Sequence, residues 1–283
     1  MRVAAVQMNS TAPRQQNVER ALAHIDRAAA AGAGLVVLPE YMTFLGPYRD
    51  FQENSETVPG PTSDSLAAKA QQHGIYIDGG SLIEQSSQVD RFYNTSILFG
   101  PDGNQIATYR KIHRFQVNVP GEVRDNESWA ILPGEELVVV SLPQLTLGLS
   151  ICFDLRFPEM YRQMAAAGAE VFLVPAAFAR ATGRVHWEIL LRARAIENLA
   201  YVVAAAQHGQ DLTGKWRYGR SMVVAPWGEV LAAAPELGED LLVVDIDRRE
   251  VAKRRAQMPV LLLRQPPVYE RLKHYDISQK SDV

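Results

Sequence analysis

The chain contains 283 residues, of which 47% are hydrophobic and 22% are charged. This composition is typical of a globular protein and excludes an intrinsically disordered or fibrous chain. The 29 basic and 32 acidic side chains give a formal net charge of −3 without a long block of either sign. This balance argues against nucleic acid or an anionic membrane as a partner.

The single cysteine, Cys152, excludes an intrachain disulfide and a zinc site built from several cysteines. A chain of this length buries enough surface to need no metal or cofactor for stability, and we expect none. The N-terminal segment becomes polar too early for a secretion signal, and no apolar run approaches the roughly 20 residues that span a bilayer. We therefore expect a cytoplasmic protein.

The first predicted elements are a strand, a helix and a second strand. Residues 2–8 alternate in the manner of a buried strand, and residues 17–31 repeat apolar side chains at helical spacing. Residues 35–38 form a short continuous apolar run, which is expected for a strand covered on both faces. A proline ends this strand, so Glu40 is predicted to lie at its C-terminal edge.

The same order of elements returns in the second half of the chain. Residues 145–151 and 171–175 are predicted strands, and residues 159–167 form a predicted helix between them. Residues 165–176 align with residues 29–40 without a gap. We interpret this similarity as an internal repeat of a strand–helix–strand unit.

The remaining elements are mostly strands that follow one another. Further strands are predicted over residues 75–81, 95–99, 105–109, 137–142, 201–206, 221–225, 230–233 and 241–246. Further helices are predicted over residues 63–73, 186–199 and 249–257. Strand pairs flanked by helices in two similar halves predict an α/β fold in which two sheets pack face to face with helices outside, an αββα sandwich. We expect one domain over residues 1–263 and an extended C-terminal arm over residues 264–283.

Cys152 lies where a predicted strand ends, shortly before a helix that begins near Pro158. Ligands bind beyond the carboxyl ends of strands in α/β sheets, and backbone N–H groups on such a turn can face a developing oxyanion. A catalytic role therefore competes with the alternative that this cysteine is a small buried apolar residue.

A reactive thiol needs a partner, because its ordinary pKa of about 8.5 leaves little thiolate at neutral pH. Three kinds of partner are open on spacing alone. One is Glu40 at the end of its strand, and another is Lys111 after the strand predicted over residues 105–109. The third is a histidine, of which the chain has His24, His73, His113, His186, His208 and His274.

Three segments together resemble the nitrilase superfamily of carbon–nitrogen hydrolases. They are residues 35–40 (LVVLPE), 109–113 (YRKIH) and 149–159 (LSICFDLRFPE). The segments carry a glutamate, a lysine and a cysteine in the order in which that family uses them. The resemblance extends over most of the chain and implies the αββα fold.

The resemblance implies a role for each of several residues. Cys152 matches the nucleophile, Glu40 the general base, and Lys111 the lysine that stabilises the oxyanion. Glu127 matches a second glutamate beside that lysine. The implied reaction is hydrolysis of an amide through a cysteine thioester, with the backbone N–H of Phe153 as a second oxyanion donor.

Four further segments are similar to the Nit branch of this superfamily: residues 175–178 (PAAF), 182–188 (TGRVHWE), 191–198 (LRARAIEN) and 204–207 (AAAQ). That branch contains deaminated glutathione amidase and an omega-amidase that acts on 2-oxoglutaramate and 2-oxosuccinamate. The Ala-Phe and Ala-Ala-Gln sequences favour the former. The omega-amidase, or another hydrolase of small amides or carbamoyl amines, is the alternative.

Five side chains are candidates for contact with the substrate: Phe153, Phe178, Arg180, Thr182 and His186. Phe153 follows the cysteine directly, and the other four lie in the Nit-like segments or between them. Arg180 or Arg184 is a candidate partner for a carboxylate of the substrate. Most of the helix predicted to follow is interpreted as structural, because its apolar side chains face one side.

Two residues depart from the branch. Arg220 stands where histidine is usual, and Gln116 stands where aspartate is usual, which bears on the substrate or on a subunit contact. The resemblance also implies a homodimer or larger assembly, with a small-molecule amide as substrate. A catalytically idle binding protein on the same fold is the alternative from another functional class, and the intact catalytic residues argue against it.

Overall fold

The computed structural model describes residues 1–275 and contains strands and helices in both halves of the chain. The strands are β1 (Arg2–Gln7), β2 (Leu35–Val37), β3 (Tyr76–Asp78), β4 (Leu82–Gln85), β5 (Phe92–Phe99), β6 (Gln105–Arg110), β7 (Gln116–Val119), β8 (Val123–Asn126), β9 (Val139–Ser141), β10 (Thr146–Leu149), β11 (Val171–Ala176), β12 (Tyr201–Ala206), β13 (His208–Gln210), β14 (Trp216–Tyr218), β15 (Met222–Val224), β16 (Val230–Ala233) and β17 (Asp240–Asp245). The helices are α1 (Arg14–Ala30), α2 (Phe51–Asn54), α3 (Pro61–His73), α4 (Pro158–Ala166), α5 (Arg180–Asn198), α6 (Arg248–Gln257) and α7 (Pro266–Tyr269).

The first sheet has the strand order β17-β1-β2-β3-β5-β4, and β6 also pairs with β5. Strands β1, β2 and β3 are parallel. Side chains of β1 alternate between two apolar layers: Val3 and Ala5 belong to the core between the sheets, whereas Ala4 and Val6 pack with α1 and α3. Both faces of the strand are therefore buried, which explains its continuous apolar sequence.

The second sheet has the strand order β16-β15-β12-β11-β10-β9, with β10, β11 and β12 parallel. Strand β12 contacts β1 and β2 of the first sheet. Helices α4 and α5 pack together on the second sheet, and α1 and α3 pack together on the first. These four layers confirm the αββα sandwich.

The internal repeat is also confirmed. The series β1-α1-β2-α3-β3 and the series β10-α4-β11-α5-β12 each contain parallel strands joined by helices. The aligned residues 29–40 and 165–176 contain β2 and β11, the middle strands of the two series. Each half of the sandwich is therefore built on one copy of the same unit.

The structure differs from the sequence prediction at helix α5, which begins at Arg180 rather than at residue 186. Gly183 lies inside its first turns and lowers the helical propensity there. A Cβ at this glycine would lie 2.6 Å from the Cβ of Tyr218, so the glycine makes room for that ring. The hairpins β7–β8 and β13–β14 were not predicted, because their strands are short and polar.

Within the segment predicted to be an extended C-terminal arm, the structure contains the short helix α7. Residues 276–283 of the predicted arm lie outside the described residues. Within the described part of the chain, none of the helices combines the length and the apolar character needed to cross a membrane.

Candidate active site

The candidate catalytic side chains come from strand ends in both sheets. Glu40 follows β2, Lys111 follows β6 and Cys152 follows β10. The backbone N–H of Ala177, which follows β11, donates a hydrogen bond of 2.7 Å to Glu40 Oε2. The carboxyl ends of the two sheets therefore meet at one place, as expected for a site in a sheet of parallel strands.

The loop that carries Glu40 is held by close packing and by a buried amide. Gly80 has a φ of +67°, and a Cβ at this position would lie 2.2 Å from the carbonyl oxygen of Pro39. The Gln207 side chain, which is fully buried, donates a hydrogen bond of 2.9 Å to the Glu40 carbonyl. These contacts fix the backbone from which the carboxylate projects.

Cys152 occupies a strained turn between β10 and α4. Its φ of +48° lies in the left-handed region, which costs a residue with a Cβ about 1–2 kcal/mol. The buried Asp154 carboxylate supports the turn by accepting hydrogen bonds from the Ile151 N–H at 2.9 Å and from the Tyr109 hydroxyl at 2.6 Å. It also accepts the backbone and ring N–H groups of His113, at 3.0 and 2.8 Å.

A buried ion cluster lies beside the thiol. Lys111 Nζ is 2.8 Å from Glu40 Oε1 and 2.8 Å from Glu127 Oε2. The Asn94 amide donates to Glu40 Oε1 at 2.9 Å, and the Tyr41 hydroxyl donates to Glu127 Oε1 at 2.5 Å. With both carboxylates ionised the cluster carries a net charge of −1. The hydrogen bonds from Asn94 and Tyr41 compensate part of the cost of removing these charges from water.

The pKa of the Cys152 thiol is raised well above its ordinary value, first by burial and then by the Glu40 carboxylate, although the Lys111 ammonium opposes this. The thiol therefore carries its proton at neutral pH, and the Glu40 carboxylate that raises its pKa lines the same cavity. Burial lowers the pKa of Lys111, but the carboxylates of Glu127 and Glu40 outweigh burial and raise it well above its ordinary value. Lys111 therefore remains a cation.

A cavity of about 920 Å³ opens onto these groups. Glu40, Lys111, Glu127 and Cys152 all line it, so the structure brings the four sequence-predicted catalytic residues together. Phe153 and Phe178 also line it and supply apolar surface. The cavity combines a hydrophobic wall with convergent charged groups, as binding sites for small molecules commonly do.

The other three predicted substrate contacts do not line this cavity. Arg180 forms an ion pair of 3.2 Å with Glu236. The Thr182 hydroxyl donates to a backbone carbonyl, and the Nδ1 atom of the exposed His186 lies 3.3 Å from Arg156 Nη1. Because α5 begins six residues earlier than predicted, these positions belong to the first turns of that helix rather than to a loop beside the cysteine.

The two departures from the Nit branch have different surroundings. Gln116 lies on β7 and lines the cavity. Arg220 has a φ of +63°, and its carbonyl accepts a hydrogen bond of 2.8 Å from the indole of Trp187. Its guanidinium lies 3.5 Å from Glu188. Gln116 is therefore placed to bear on the substrate, whereas Arg220 helps to hold helix α5.

Several residues of the site were missed in the sequence. Asn94 and Gln207 bind Glu40, Asp154 supports the turn of Cys152, and the Ala177 N–H orients the carboxylate. Asp154 carried a usable signal, because an acidic residue shortly after a strand end accepts the free N–H groups there. The others act from distant strands, and no local pattern marks them.

Among residues 1–275, no group of three or more His, Cys, Asp or Glu side chains is arranged to hold a metal ion. The charged groups around the cysteine instead bind one another. The arrangement can hold a proton on Glu40, present a sulfur nucleophile and offer a fixed cation to a developing negative charge.

Known proteins share this architecture and sequence. Human omega-amidase NIT2 is 38% identical over 270 residues, which cover 95% of this chain and 96% of the relative. The crystal structure of Saccharomyces cerevisiae Nit3, a member of branch 10 of the nitrilase superfamily, aligns with a TM-score of 0.83 and 32% identity, covering 94% of this chain and 96% of that one.

A mutant of the amidase from Nesterenkonia sp. AN1 aligns with a TM-score of 0.80 and 28% identity, covering 95% of each chain. In that structure the acetamide moiety of fluoroacetamide is covalently added at the active site cysteine. The carbon–nitrogen hydrolase family matches residues 2–256 of the present chain. The chain therefore belongs to the carbon–nitrogen hydrolases of the nitrilase superfamily, enzymes that hydrolyse carbon–nitrogen bonds other than peptide bonds.

Proposed function

We propose that this protein is an omega-amidase, which hydrolyses the terminal amide of a 2-oxo dicarboxylic acid such as 2-oxoglutaramate. The observation that carries the proposal is the buried Cys152 thiol, which lines one cavity together with the Glu40 carboxylate and the Lys111 ammonium. The relatives named omega-amidase, which match 95% of the chain, support this substrate class over the deaminated glutathione that the sequence segments favoured.

In the first half of the proposed reaction, Cys152 Sγ attacks the amide carbonyl carbon while Glu40 takes the thiol proton. The negative charge moves to the carbonyl oxygen, where the Lys111 ammonium and the Phe153 N–H stabilise it. Glu40 then passes its proton to the nitrogen. The carbon–nitrogen bond breaks, ammonia leaves, and the acyl group remains on sulfur as a thioester.

In the second half, a water molecule takes the place of ammonia. Glu40 accepts a proton from this water as its oxygen attacks the thioester carbonyl, and Lys111 again stabilises the oxyanion. The carbon–sulfur bond breaks, sulfur regains its proton from Glu40, and the carboxylic acid leaves. One glutamate thus serves as base and acid in both halves, which is typically worth about 10²- to 10⁴-fold in rate.

Deaminated glutathione is the second candidate substrate. The cavity of about 920 Å³ is larger than a five-carbon amide requires, and residues of the β7–β8 hairpin line part of it. A tripeptide-sized amide therefore has room to bind with its scissile carbonyl at Cys152. In that case the departing amine is a dipeptide rather than ammonia.

A comparison of substrates tests the proposal. Purified protein is incubated with 2-oxoglutaramate, 2-oxosuccinamate, deaminated glutathione and simple neutral amides, and the released amine is measured. We expect ammonia from the two 2-oxo amides with the highest kcat/KM, and no product with the Cys152→Ala variant. A higher kcat/KM for deaminated glutathione would overturn the omega-amidase assignment, and release by Cys152→Ala would overturn the mechanism.

A further inference from the structure

Two basic side chains line the cavity on the side of the β13–β14 hairpin. Lys215 lies just before β14, and Arg217 lies within it. The catalytic scheme uses neither residue. Both were also absent from the sequence-based candidates, because only the hairpin brings them to the cavity.

Arg217 is connected directly to the catalytic centre. Its Nη1 donates a hydrogen bond of 3.0 Å to the carbonyl oxygen of Ala177. The backbone N–H of Ala177 in turn donates a hydrogen bond of 2.7 Å to Glu40 Oε2. The N and O atoms of one residue are at most about 3.6 Å apart, so the guanidinium lies within about 9 Å of the Glu40 carboxylate. A small molecule can reach both groups at once.

The charges on this side of the cavity do not cancel. Five charged side chains of the β7–β8 and β13–β14 hairpins line the cavity: the cations Arg124, Lys215 and Arg217 and the anions Asp125 and Asp211. Lys215 Nζ lies 2.8 Å from Asp125, and Arg217 Nη2 lies 2.5 Å from Asp211. Within the described part of the chain, Arg124 has no acidic group at ion-pair distance. These five side chains, which we call the basic wall, therefore carry a net charge of +1, opposite in sign to the ion cluster beside Cys152.

The length of an omega-amide fits the distance between the Glu40 carboxylate and the Arg217 guanidinium. In a five-carbon chain the amide carbon and the carboxylate carbon are about 5 Å apart when extended, because each carbon–carbon bond of about 1.5 Å advances the chain by about 1.25 Å. Contacts of about 3 Å at each end bring the total to roughly 11 Å, enough to span the distance of at most about 9 Å between the Glu40 carboxylate and the Arg217 guanidinium.

We infer that Lys215 and Arg217 bind the carboxylate of the substrate and make this enzyme prefer amides that carry a carboxylate at the far end. The inference rests on the proposed function, since it assigns the groups that recognise that substrate. Lys215 offers ammonium protons beyond the one used by Asp125, and Arg217 supplies a fixed positive charge. Arg180, the anion partner expected from the sequence, is instead engaged with Glu236 outside the cavity.

The test compares two amides of equal length, 2-oxoglutaramate and the neutral pentanamide. Lys215→Gln removes the positive charge but keeps a hydrogen-bond donor for Asp125. Lys215→Arg keeps the positive charge and the donor. We expect Lys215→Gln to raise KM for 2-oxoglutaramate about 10- to 100-fold, the range for loss of a charge-assisted hydrogen bond, with kcat little changed. Pentanamide kinetics should not change, and Lys215→Arg should restore most of the affinity.

Arg217 is tested in a variant that leaves no carboxylate unpaired. The double variant Arg217→Gln with Asp211→Asn removes one charge of each sign, and we expect a selective loss of affinity for 2-oxoglutaramate beyond any change with pentanamide. Arg249→Gln is the matched control, because Arg249 is exposed and pairs with Asp247 at the start of α6. It should behave as wild type with both amides.

The two proposals fail in different ways. Equal losses on both amides in Lys215→Gln, or no loss on either, would overturn the carboxylate contact while leaving the omega-amidase assignment intact. A wild-type enzyme that prefers pentanamide would overturn the carboxylate preference itself. Glutaramate keeps the carboxylate but lacks the 2-oxo group. If the wild type hydrolyses glutaramate better than 2-oxoglutaramate, the assignment to 2-oxo amides fails. An increase in KM for glutaramate in Lys215→Gln would still support the carboxylate contact.

Discussion

The carboxylate of Asp154, two residues beyond Cys152, accepts two hydrogen bonds from His113, two residues beyond Lys111. The other oxygen of Asp154 accepts the Ile151 N–H immediately before Cys152. One fully buried carboxylate therefore joins the turn of Cys152 to the segment of the chain that carries Lys111. We expect Asp154 to act as a positioning residue, since its hydrogen bonds go to Tyr109, His113 and Ile151 rather than to the Cys152 thiol or the Lys111 ammonium.

We expect Asp154→Asn to lower kcat about 10- to 100-fold while KM changes much less, because a displacement of about 1 Å at a reacting group has effects of this size. An amide presents one accepting oxygen and one NH₂ group, so two of the donors now facing Asp154 lose their acceptor. Steady-state kinetics and thermal unfolding check this prediction, and we expect Tm to fall by several degrees as well.

Tyr109→Phe is the control for a purely structural effect. It removes only the hydroxyl that donates to Asp154 at 2.6 Å and leaves the contacts to the two catalytic segments in place. We expect a loss of Tm with most of kcat retained. Wild-type kcat in Asp154→Asn, or a kcat loss in Tyr109→Phe as large as in Asp154→Asn, would contradict the positioning role.

Lys111 compensates two buried carboxylates, so its loss should affect stability as well as catalysis. In Lys111→Met the cluster changes from −1 to −2, because Glu40 and Glu127 remain. Removing one partner of a buried ion pair typically destabilises a protein by about 3–5 kcal/mol. We expect a large decrease in Tm and loss of amide hydrolysis, measured by thermal unfolding and product formation.

The double variant Lys111→Met with Glu127→Gln separates these two effects. It returns the cluster to a charge of −1, so we expect much of the lost Tm to return. Activity should remain absent, because no cation faces the oxyanion. Recovery of activity together with stability would show that Lys111 serves only to compensate charge.

The end of strand β2 and the turn that carries Cys152 could be predicted because they depend on local sequence. A short apolar run closed by a proline places Glu40 at a strand end, and a similar run places Cys152. The repeat of residues 29–40 and 165–176 then favours two equivalent halves. Spacing alone left the partner of the thiol open, and only the resemblance to a family selected Glu40 and Lys111.

The wall of the cavity could not be predicted in the same way. Lys215 and Arg217 belong to a polar hairpin whose position depends on pairing with β13 and on contact with Ala177, far away in sequence. The start of α5 was missed because Gly183 weakens the helical pattern, and its reason for being glycine is the packing of Tyr218. Tertiary contacts override local propensity at such positions.

The single cysteine makes the charge of the cluster measurable. Glu40 raises the pKa of Cys152, so replacing it with glutamine should lower that pKa and move alkylation by iodoacetamide to lower pH. We therefore expect Glu40→Gln to lose amide hydrolysis yet to form the thioether adduct at a pH where the wild type reacts slowly. Intact-protein mass measured against pH gives both profiles.

Cys152→Ala is the control for that experiment and should gain no mass at all, because the chain has no other cysteine. A Glu40→Gln profile shifted to higher pH would mean that Glu40 promotes thiolate formation more strongly as a base than it opposes it as a charge. Protection of Cys152 by 2-oxoglutaramate would additionally place the thiol within the substrate cavity.

Asp78 is a fully buried acid at the end of β3, next to the Gly80 turn that packs against the Glu40 loop. Burial raises its pKa from the ordinary 3.8 to about 7, although hydrogen bonds from Ser96 and Gly80 oppose this. Both bonds reach Oδ1 at 2.9 Å. The native state therefore holds a proton on this group over a range of pH in which the unfolded chain has lost it.

This proton makes the free energy of unfolding depend on pH. The stabilisation that the bound proton adds to the folded state is complete below pH about 4 and amounts to roughly 4 kcal/mol. It is lost progressively as the pH rises to about 7, and above that pH Asp78 adds no further change. Asp78→Asn keeps an acceptor for Ser96 and Gly80 but has no proton to lose. We therefore expect its stability relative to wild type to increase as pH rises from 4 to 8, measured by thermal unfolding at each pH. A difference in Tm that stays constant over this range would show that wild-type Asp78 is ionised in the native state throughout, with the hydrogen bonds at Oδ1 outweighing burial.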